Sequence, residues 1–263
     1  MTARDPCGPC GLCCRSYLVP LFGHDFWRIH TQQHLAPEKF AFIAEQETPD
    51  ALGFFLASGG PTFGLALMKI EPLTATQPCV FLEPTPDGQT RCSIYHDRPI
   101  TCRAYPMSKF GAKVFQREAT LCPPDSWSDE DILAPHWREN LQLLRVYRDI
   151  YVEVVARWNG AIEKWPPPEP LPASVFCDFL LKVYDEIARV EDGLQPDRWR
   201  EILLGWARVE RQEDDPGGDV PRAQEPLWLA HFRRTRDLID RFFPDLAPLP
   251  FQRILVESRP TES

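Results

Sequence analysis

Four cysteines fall within eight residues close to the N-terminus, in the order Cys7-x2-Cys10-x2-Cys13-Cys14. No other feature restricts the fold as strongly. A two-residue gap lets two thiolates turn toward one centre from a tight loop, and Gly8 and Gly11 suit such a loop because glycine accepts positive φ. Four more cysteines follow before residue 125: Cys79, Cys92, Cys102 and Cys122. The ninth, Cys177, sits on the apolar face of an expected helix, where a thiol acts as a small hydrophobe.

What the thiols do depends on the compartment. The opening residues, MTARDPCGPCGLCC, contain no apolar run of the kind a secretion signal needs. No stretch approaches the ~20 apolar residues of a membrane helix. The expected compartment is the cytoplasm, where thiols stay reduced and clustered cysteines serve metal or redox chemistry rather than structural disulfides. All eight of Cys7, Cys10, Cys13, Cys14, Cys79, Cys92, Cys102 and Cys122 are candidate metal ligands.

Zinc and iron make different demands. A structural zinc site takes four ligands, usually as two separated pairs. A run of three cysteines with two-residue gaps and a distant fourth suits a cubane iron–sulfur cluster, and Cys122-Pro123 matches the Cys-Pro end of such runs. Eight thiolates also suit two zinc sites, or one cluster beside one mononuclear ion. The cofactor expected is an iron–sulfur cluster, with the 4Fe–4S form favoured, or zinc or iron ions. Adjacent residues such as Cys13 and Cys14 point different ways and can serve different centres.

The residues between the later cysteines also carry chemistry. In CSIYHDRPITCRAYP (92–106), Ile94 and Tyr95 can roof the site. Arg98 and Arg103 can donate to thiolate sulfur or to a carboxylate, offsetting the charge of a tetrathiolate. The other candidates are weaker. His30 and His34 are spaced for one helical face but lack a His-Glu-x-x-His pattern, His24 lies near the cysteine run as a further candidate ligand, and His136 and His231 stand alone.

Charge excludes some partners. The net charge is −9; residues 126–263 hold 18 basic and 26 acidic residues, against 11 and 12 in residues 1–125. An acidic chain has no electrostatic attraction to nucleic acid or to an anionic membrane, so the partner expected is a protein, as substrate or binding partner.

Two textures divide the chain. Prolines number 28 against 14 glycines, which implies many breaks. Before residue 125 the elements are short: a strand over Tyr17–Phe22, a helix capped by Asp25 running to His34, and a second helix opening at Pro37 (PEKFAFIAEQE). Strands follow over Phe63–Ile70 and Val80–Glu83, with Gly59-Gly60 as a turn and Asp87-Gly88 closing a hairpin onto Arg91–Tyr95. Arg98-Pro99 opens a helical turn that ends before Pro106, and Lys113–Glu118 alternates as a strand.

Beyond that point, Ser128 and Asp131 form a capping box ahead of a long amphipathic helix carrying Trp137, Leu141, Leu144, Tyr147, Tyr151, Val154 and Trp158. WPPPEPLP (165–172) is a proline spacer. Three further helices are expected, one from near Ser174, one from Trp199 to Val209 and one from Trp228 to Phe242, with a mobile loop over 213–226.

The pattern Cys7-x2-Cys10-x2-Cys13-Cys14, then Pro78-Cys79-Val80-Phe81-Leu82, then Cys92-Ser-Ile-Tyr-x2-Arg98-Pro99-x2-Cys102-Arg103-x-Tyr105-Pro106, closely resembles the YkgJ-like cysteine-cluster family. The resemblance covers about residues 5–125 and implies zinc or iron chelation. One arm of that family is similar to flagellin lysine N-methylase, with a cluster domain ahead of a helical region. The helical half here shows no matching motif and no G-x-G-x-G loop after a strand, so no catalytic residue is assigned.

These readings converge on an α+β fold: an irregular cysteine-rich metal-binding domain with short strands over 1–125, then a mostly α-helical region over 126–263. Three functions fit it. The first is a metal-binding protein whose centre is structural or redox-active. The second is a protein-modifying enzyme such as a lysine N-methylase, and the third is a zinc-braced interaction module. In each, metal binding should supply folding energy to the N-terminal half.

Overall fold

A computed structural model of the chain describes residues 10–70, 77–110, 113–123, 126–132 and 134–190. The architecture is α+β, with short strands and turns in the cysteine-rich part and long helices after it. Its described residues fall into two compact units, one from 10–44 and 65–147, the other from 45–64 and 148–190.

In the first unit, α1 (Leu12–Ser16) begins at Gly11, whose φ of 57° places it in the left-handed region. The glycine is required twice, since a Cβ there would stand 2.9 Å from Thr90 Oγ1 and 3.1 Å from Leu82. The chain then passes beside β3 through a bridge between Pro20 and Ala66, rather than forming the strand expected over Tyr17–Phe22. Proline cannot donate to a ladder, which limits pairing there.

Helix α2 (Gly23–Gln33) begins after Phe22, so Asp25 is not its cap. Asp25 lies in the first turn, fully buried, and serves another purpose described below. His34 ends the helix at φ 53°.

The helix expected from Pro37 shrinks to one 3-10 turn, Pro37–Lys39, and the chain continues as β1 (Ala41–Glu45). Phe40 is fully buried against Phe26, and its carbonyl accepts the Met68 N–H at 2.7 Å. These non-local contacts outweigh the helix propensity of an Ala/Glu-containing segment.

Strands β2 (Phe54–Phe55) and β3 (Thr62–Leu67) pair antiparallel in a sheet ordered β1-β3-β2. Between them Gly59 has φ 66° and Gly60 donates to Ala57, which is the expected turn.

Two hairpins and a short helix carry the later cysteines. β4 (Leu82–Pro84) and β5 (Thr90–Cys92) pair across the Asp87-Gly88 turn, where Gly88 has φ 78°. α3 (Ile100–Ala104) opens after Pro99. β6 (Met107–Phe110) then pairs with β7 (Lys113–Gln116). The Ser128–Asp131 box forms, the Ser128 N–H donating to Asp131 Oδ2 at 2.9 Å and the Asp131 N–H to Ser128 Oγ at 3.2 Å, but it caps the short α4 (Asp129–Ile132) and not the long helix, which begins at Pro135.

The long helix α5 (Pro135–Lys164) gives its first turns, through Tyr147, to the first unit and the remainder to the second. In the second unit, α5 and α6 (Ala173–Val190) are joined by the proline spacer and enclose β2. Phe54 stacks on Phe176 with centroids 3.6 Å apart, and the Trp158 indole N–H donates to the Phe55 carbonyl at 2.6 Å. Cys177 is buried in that core, as its place on the apolar face predicts. The helices expected over 199–209 and 228–242, and the loop over 213–226, lie outside the described residues. Among the described residues no helix is long and apolar enough to cross a membrane.

Candidate metal centre

Four separate pieces of backbone bring thiols together. The first is α1, which carries Cys13 and Cys14; placing the Cys-Cys pair on a helix was not evident from the sequence. The second is the segment at Cys79, whose N–H donates to the Cys14 carbonyl at 3.0 Å. The third is β5, which ends at Cys92, opposite Leu82. The Ser93 N–H donates to Phe81, so Leu82 and Cys92 form a non-hydrogen-bonded pair with side chains on one face. The fourth is α3, which carries Cys102.

Electrostatics show that these sulfurs sense one another. Cys79 is buried and its thiol is pushed up to about 11, by burial foremost and also by Cys92 and Cys13, while Lys69 opposes the rise. Cys102 is raised well above the ordinary thiol range by burial, then by Cys79, Cys13 and Cys92, with Arg98 opposing. Cys13 is raised by its hydrogen bond with Cys14, then by burial. All cysteines from Cys10 onward are free thiols.

Cys13, Cys79, Cys92 and Cys102 thus form one neighbourhood, with Cys14 hydrogen-bonded to Cys13 at its rim. Among the described residues, no group of three or more His, Cys, Asp or Glu is set as a finished metal site. The sulfurs are neighbours at electrostatic range, not a closed tetrahedron.

The donor chemistry nevertheless fits zinc or iron. Crowded, partly buried thiols repel one another as anions, and a cation among them reverses that logic. Cysteine sulfur is also the ligand class that zinc and iron share.

The remaining candidates are dispersed. Cys10 is exposed, and Cys7 lies outside the described residues. Cys122 stands beside Tyr105, whose hydroxyl accepts the Leu121 N–H at 2.7 Å and whose ring meets Tyr17 edge-on at 5.5 Å. Arg98 lies over the Tyr95 ring at 3.6 Å, donates to the Tyr95 carbonyl at 2.9 Å and acts on Cys102. Arg103 follows Cys102 but turns toward α5, donating to Asn140 Oδ1 at 3.0 Å while Asn140 donates back to the Arg103 carbonyl.

Among the histidines, the His30 ring bonds the Leu35 carbonyl at 2.7 Å, and His24 stacks on Tyr147 with centroids 4.1 Å apart. His231 lies outside the described residues.

The support behind the cysteines was missed in the sequence. Asp25 Oδ2 accepts the Ile100 N–H at 3.0 Å, and Arg28 donates to the carbonyls of Asp97 and Arg98 at 2.9 and 2.7 Å. Their i, i+3 spacing on α2 was a signal, but nothing local says what that face grips.

Residues 6–123 match the family model described as "CxxCxxCC: Putative zinc- or iron-chelating domain". That segment is a CxxCxxCC domain. The match spans every cysteine from Cys7 to Cys122, and with it the four elements that meet around Cys79. Searches of curated proteins and of solved structures returned no match. The family description points to zinc or iron chelation, and the geometry shows which cysteines lie near one another.

Proposed function

We propose that the CxxCxxCC domain binds zinc or iron through the thiolates of Cys13, Cys79, Cys92 and Cys102. The observation that carries this reading is that Cys79, Cys13 and Cys92, from three other elements, all bear on Cys102, while the Cys79 N–H bonds the Cys14 carbonyl at 3.0 Å. Ligation requires them to lose protons and close on the ion, so loading releases protons and adds folding free energy. The bound centre would brace α1, the hairpin β4–β5 and α3 against one another.

A 4Fe–4S cluster is the second reading. The three-cysteine run with two-residue gaps favours it, with Cys10 exposed close to Cys13 in sequence. Such a centre could carry electrons, whereas a lone zinc ion would be structural.

One experiment separates the readings. The full chain is purified without air, and zinc, iron and acid-labile sulfide are measured per chain. One ion per chain with no sulfide supports the tetrathiolate. Equal iron and acid-labile sulfide, in a brown protein, supports the cluster. A chain that takes up neither metal, before or after reconstitution, refutes both.

A further inference from the structure

Among the described residues Lys69 is the buried lysine or arginine, it lies beside Cys79, and no zinc or iron chemistry uses an ammonium as a ligand. It follows β3 and forms an antiparallel bridge with Cys79. The flanking bonds are Val80 N–H to Met68 and Ile70 N–H to Pro78, which makes Lys69–Cys79 a non-hydrogen-bonded pair. In such a pair the two side chains project from the same face with Cβ atoms roughly 4.5–5.5 Å apart.

Lys69 is only 5% exposed. Its Nζ donates to the carbonyl of Arg15 at 2.6 Å, one residue beyond Cys14. Among the described residues no carboxylate lies within ion-pair distance of it. Burial lowers the proton affinity of the ammonium, while Cys79 and Cys14 are the groups that raise it.

A buried ammonium is costly unless something of opposite charge faces it. A carbonyl oxygen offsets part of that cost. The groups able to offset the rest are the thiols of Cys79 and Cys14, and they do so only as thiolates, the form that binds metal. Four thiolates around a divalent ion carry a net charge of about −2. Arg98 acts on Cys102 and Lys69 on Cys79, so the two cations together can balance it.

We propose that Lys69 is a positioning residue of the metal centre: its buried ammonium ties the end of α1 to the Cys79 segment and stands as a fixed counter-charge to the thiolates, raising metal affinity. The proposal rests on the tetrathiolate reading above.

The test uses the full chain in three forms, wild type, Lys69→Arg and Lys69→Gln, with zinc as the probe in competition with a chelator. Gln keeps a donor for the Arg15 carbonyl and removes the charge, whereas Arg keeps both. Affinity is expected to fall about tenfold or more in Lys69→Gln and to stay within about threefold of wild type in Lys69→Arg.

Cobalt loading adds a readout that a packing role would not move. The thiolate-to-cobalt charge-transfer bands shift to lower energy in Lys69→Gln and stay in place in Lys69→Arg. Lys69→Met, which keeps the stem and drops both charge and donor, is the second variant and binds no tighter than Lys69→Gln. Equal affinity and equal spectra for wild type and Lys69→Gln overturn the proposal while leaving the tetrathiolate intact. So does an equal loss in Lys69→Arg and Lys69→Gln. A wild-type chain that takes up no metal overturns the tetrathiolate reading itself, and this inference with it.

Discussion

The carboxylate of Asp25 accepts the backbone N–H of Ile100 at 3.0 Å, which ties helix α2 to the first turn of α3. One turn further along α2, Arg28 grips the two carbonyls just before that helix, at Asp97 and Arg98. Gln33 adds a bond from its Nε2 to Asp97 Oδ2 at 2.8 Å. One helix therefore fixes the segment between Cys92 and Cys102. A sulfur ligand is only as well placed as the backbone behind it, so this clamp would support the proposed metal centre although it contributes no ligand.

The clamp should make stability depend on pH. Burial pushes the Asp25 carboxyl up to about 6 from an ordinary 3.8, while Arg28, the Ile100 N–H and Arg103 pull the other way. A group raised on folding favours the folded state fully below its unfolded pKa, and that contribution is lost as pH rises through the folded one. The loss between about pH 4 and pH 7 is about 3 kcal/mol. Asp25→Asn keeps an acceptor for Ile100 and removes the titration. Urea unfolding across that range should show the wild type losing stability relative to Asp25→Asn as pH rises. Parallel curves would show that Asp25 does not titrate there.

Arg28→Met should be the most damaging single change in the clamp. It removes both carbonyl bonds and leaves Asp25 buried without its cation, 3.6 Å away in the native chain. Breaking a buried pair by removing one partner costs about 3–5 kcal/mol. Adding Asp25→Asn to Arg28→Met should restore part of that loss, because no buried charge is then stranded. Denaturant melts of the two single variants and the double variant measure the coupling, and simple additivity would contradict the pairing.

Much of the fold could be read from residues whose signals are local. Asp87-Gly88 specifies the β4–β5 turn, Ser128 and Asp131 cap α4, and the apolar period from Trp137 to Trp158 marks α5. The misread segments are those decided at long range. Residues 41–45 contain Ala and Glu and show no strict alternation of burial, so nothing local marks β1; pairing with β3 does. Asp25 has a cap-forming side chain, yet its partner is Ile100, 75 residues away. Eight cysteines were visible as a set, but their division was not. Only the folded chain sets Cys13, Cys79 and Cys92 near Cys102, and Cys122 by Tyr105.

Gly11→Ala should weaken metal uptake through the backbone. The residue sits at φ 57°, and a methyl group would press on Thr90 and Leu82 at 2.9–3.2 Å. The left-handed conformation alone costs roughly 1–2 kcal/mol for an L-residue. Relief requires α1 to move away from the β4–β5 hairpin, separating Cys13 from Cys92. Zinc affinity should fall while each cysteine remains present, and a variant that binds zinc as tightly as wild type would show that α1 needs no fixed seat.

Phe176→Ala provides the contrast. Its ring is fully buried, stacked on Phe54 and edge-on to Trp158 at 5.2 Å, all within the second unit. Removing a buried aromatic ring costs about 3–5 kcal/mol. Thermal melts should show that loss, with the metal content per folded chain unchanged. A parallel fall in metal content would mean that the centre depends on the helical unit.

Serine scanning tests the partition of the cysteines most directly. Oxygen replaces sulfur with little change in size but is a poor ligand for zinc and iron in such sites. Cys102→Ser removes a thiol that three other cysteines act on, within a helix held by Asp25 and Arg28, so no neighbouring cysteine can take its place without moving α3. Its metal content should fall to a small fraction of wild type. Cys122→Ser alters a thiol set beside Tyr105 and should retain metal at wild-type stoichiometry. Metal analysis of the two variants, prepared side by side without air, gives the answer. Metal lost from Cys122→Ser and kept in Cys102→Ser would reverse the assignment and require a centre built around the Tyr105 side of the domain.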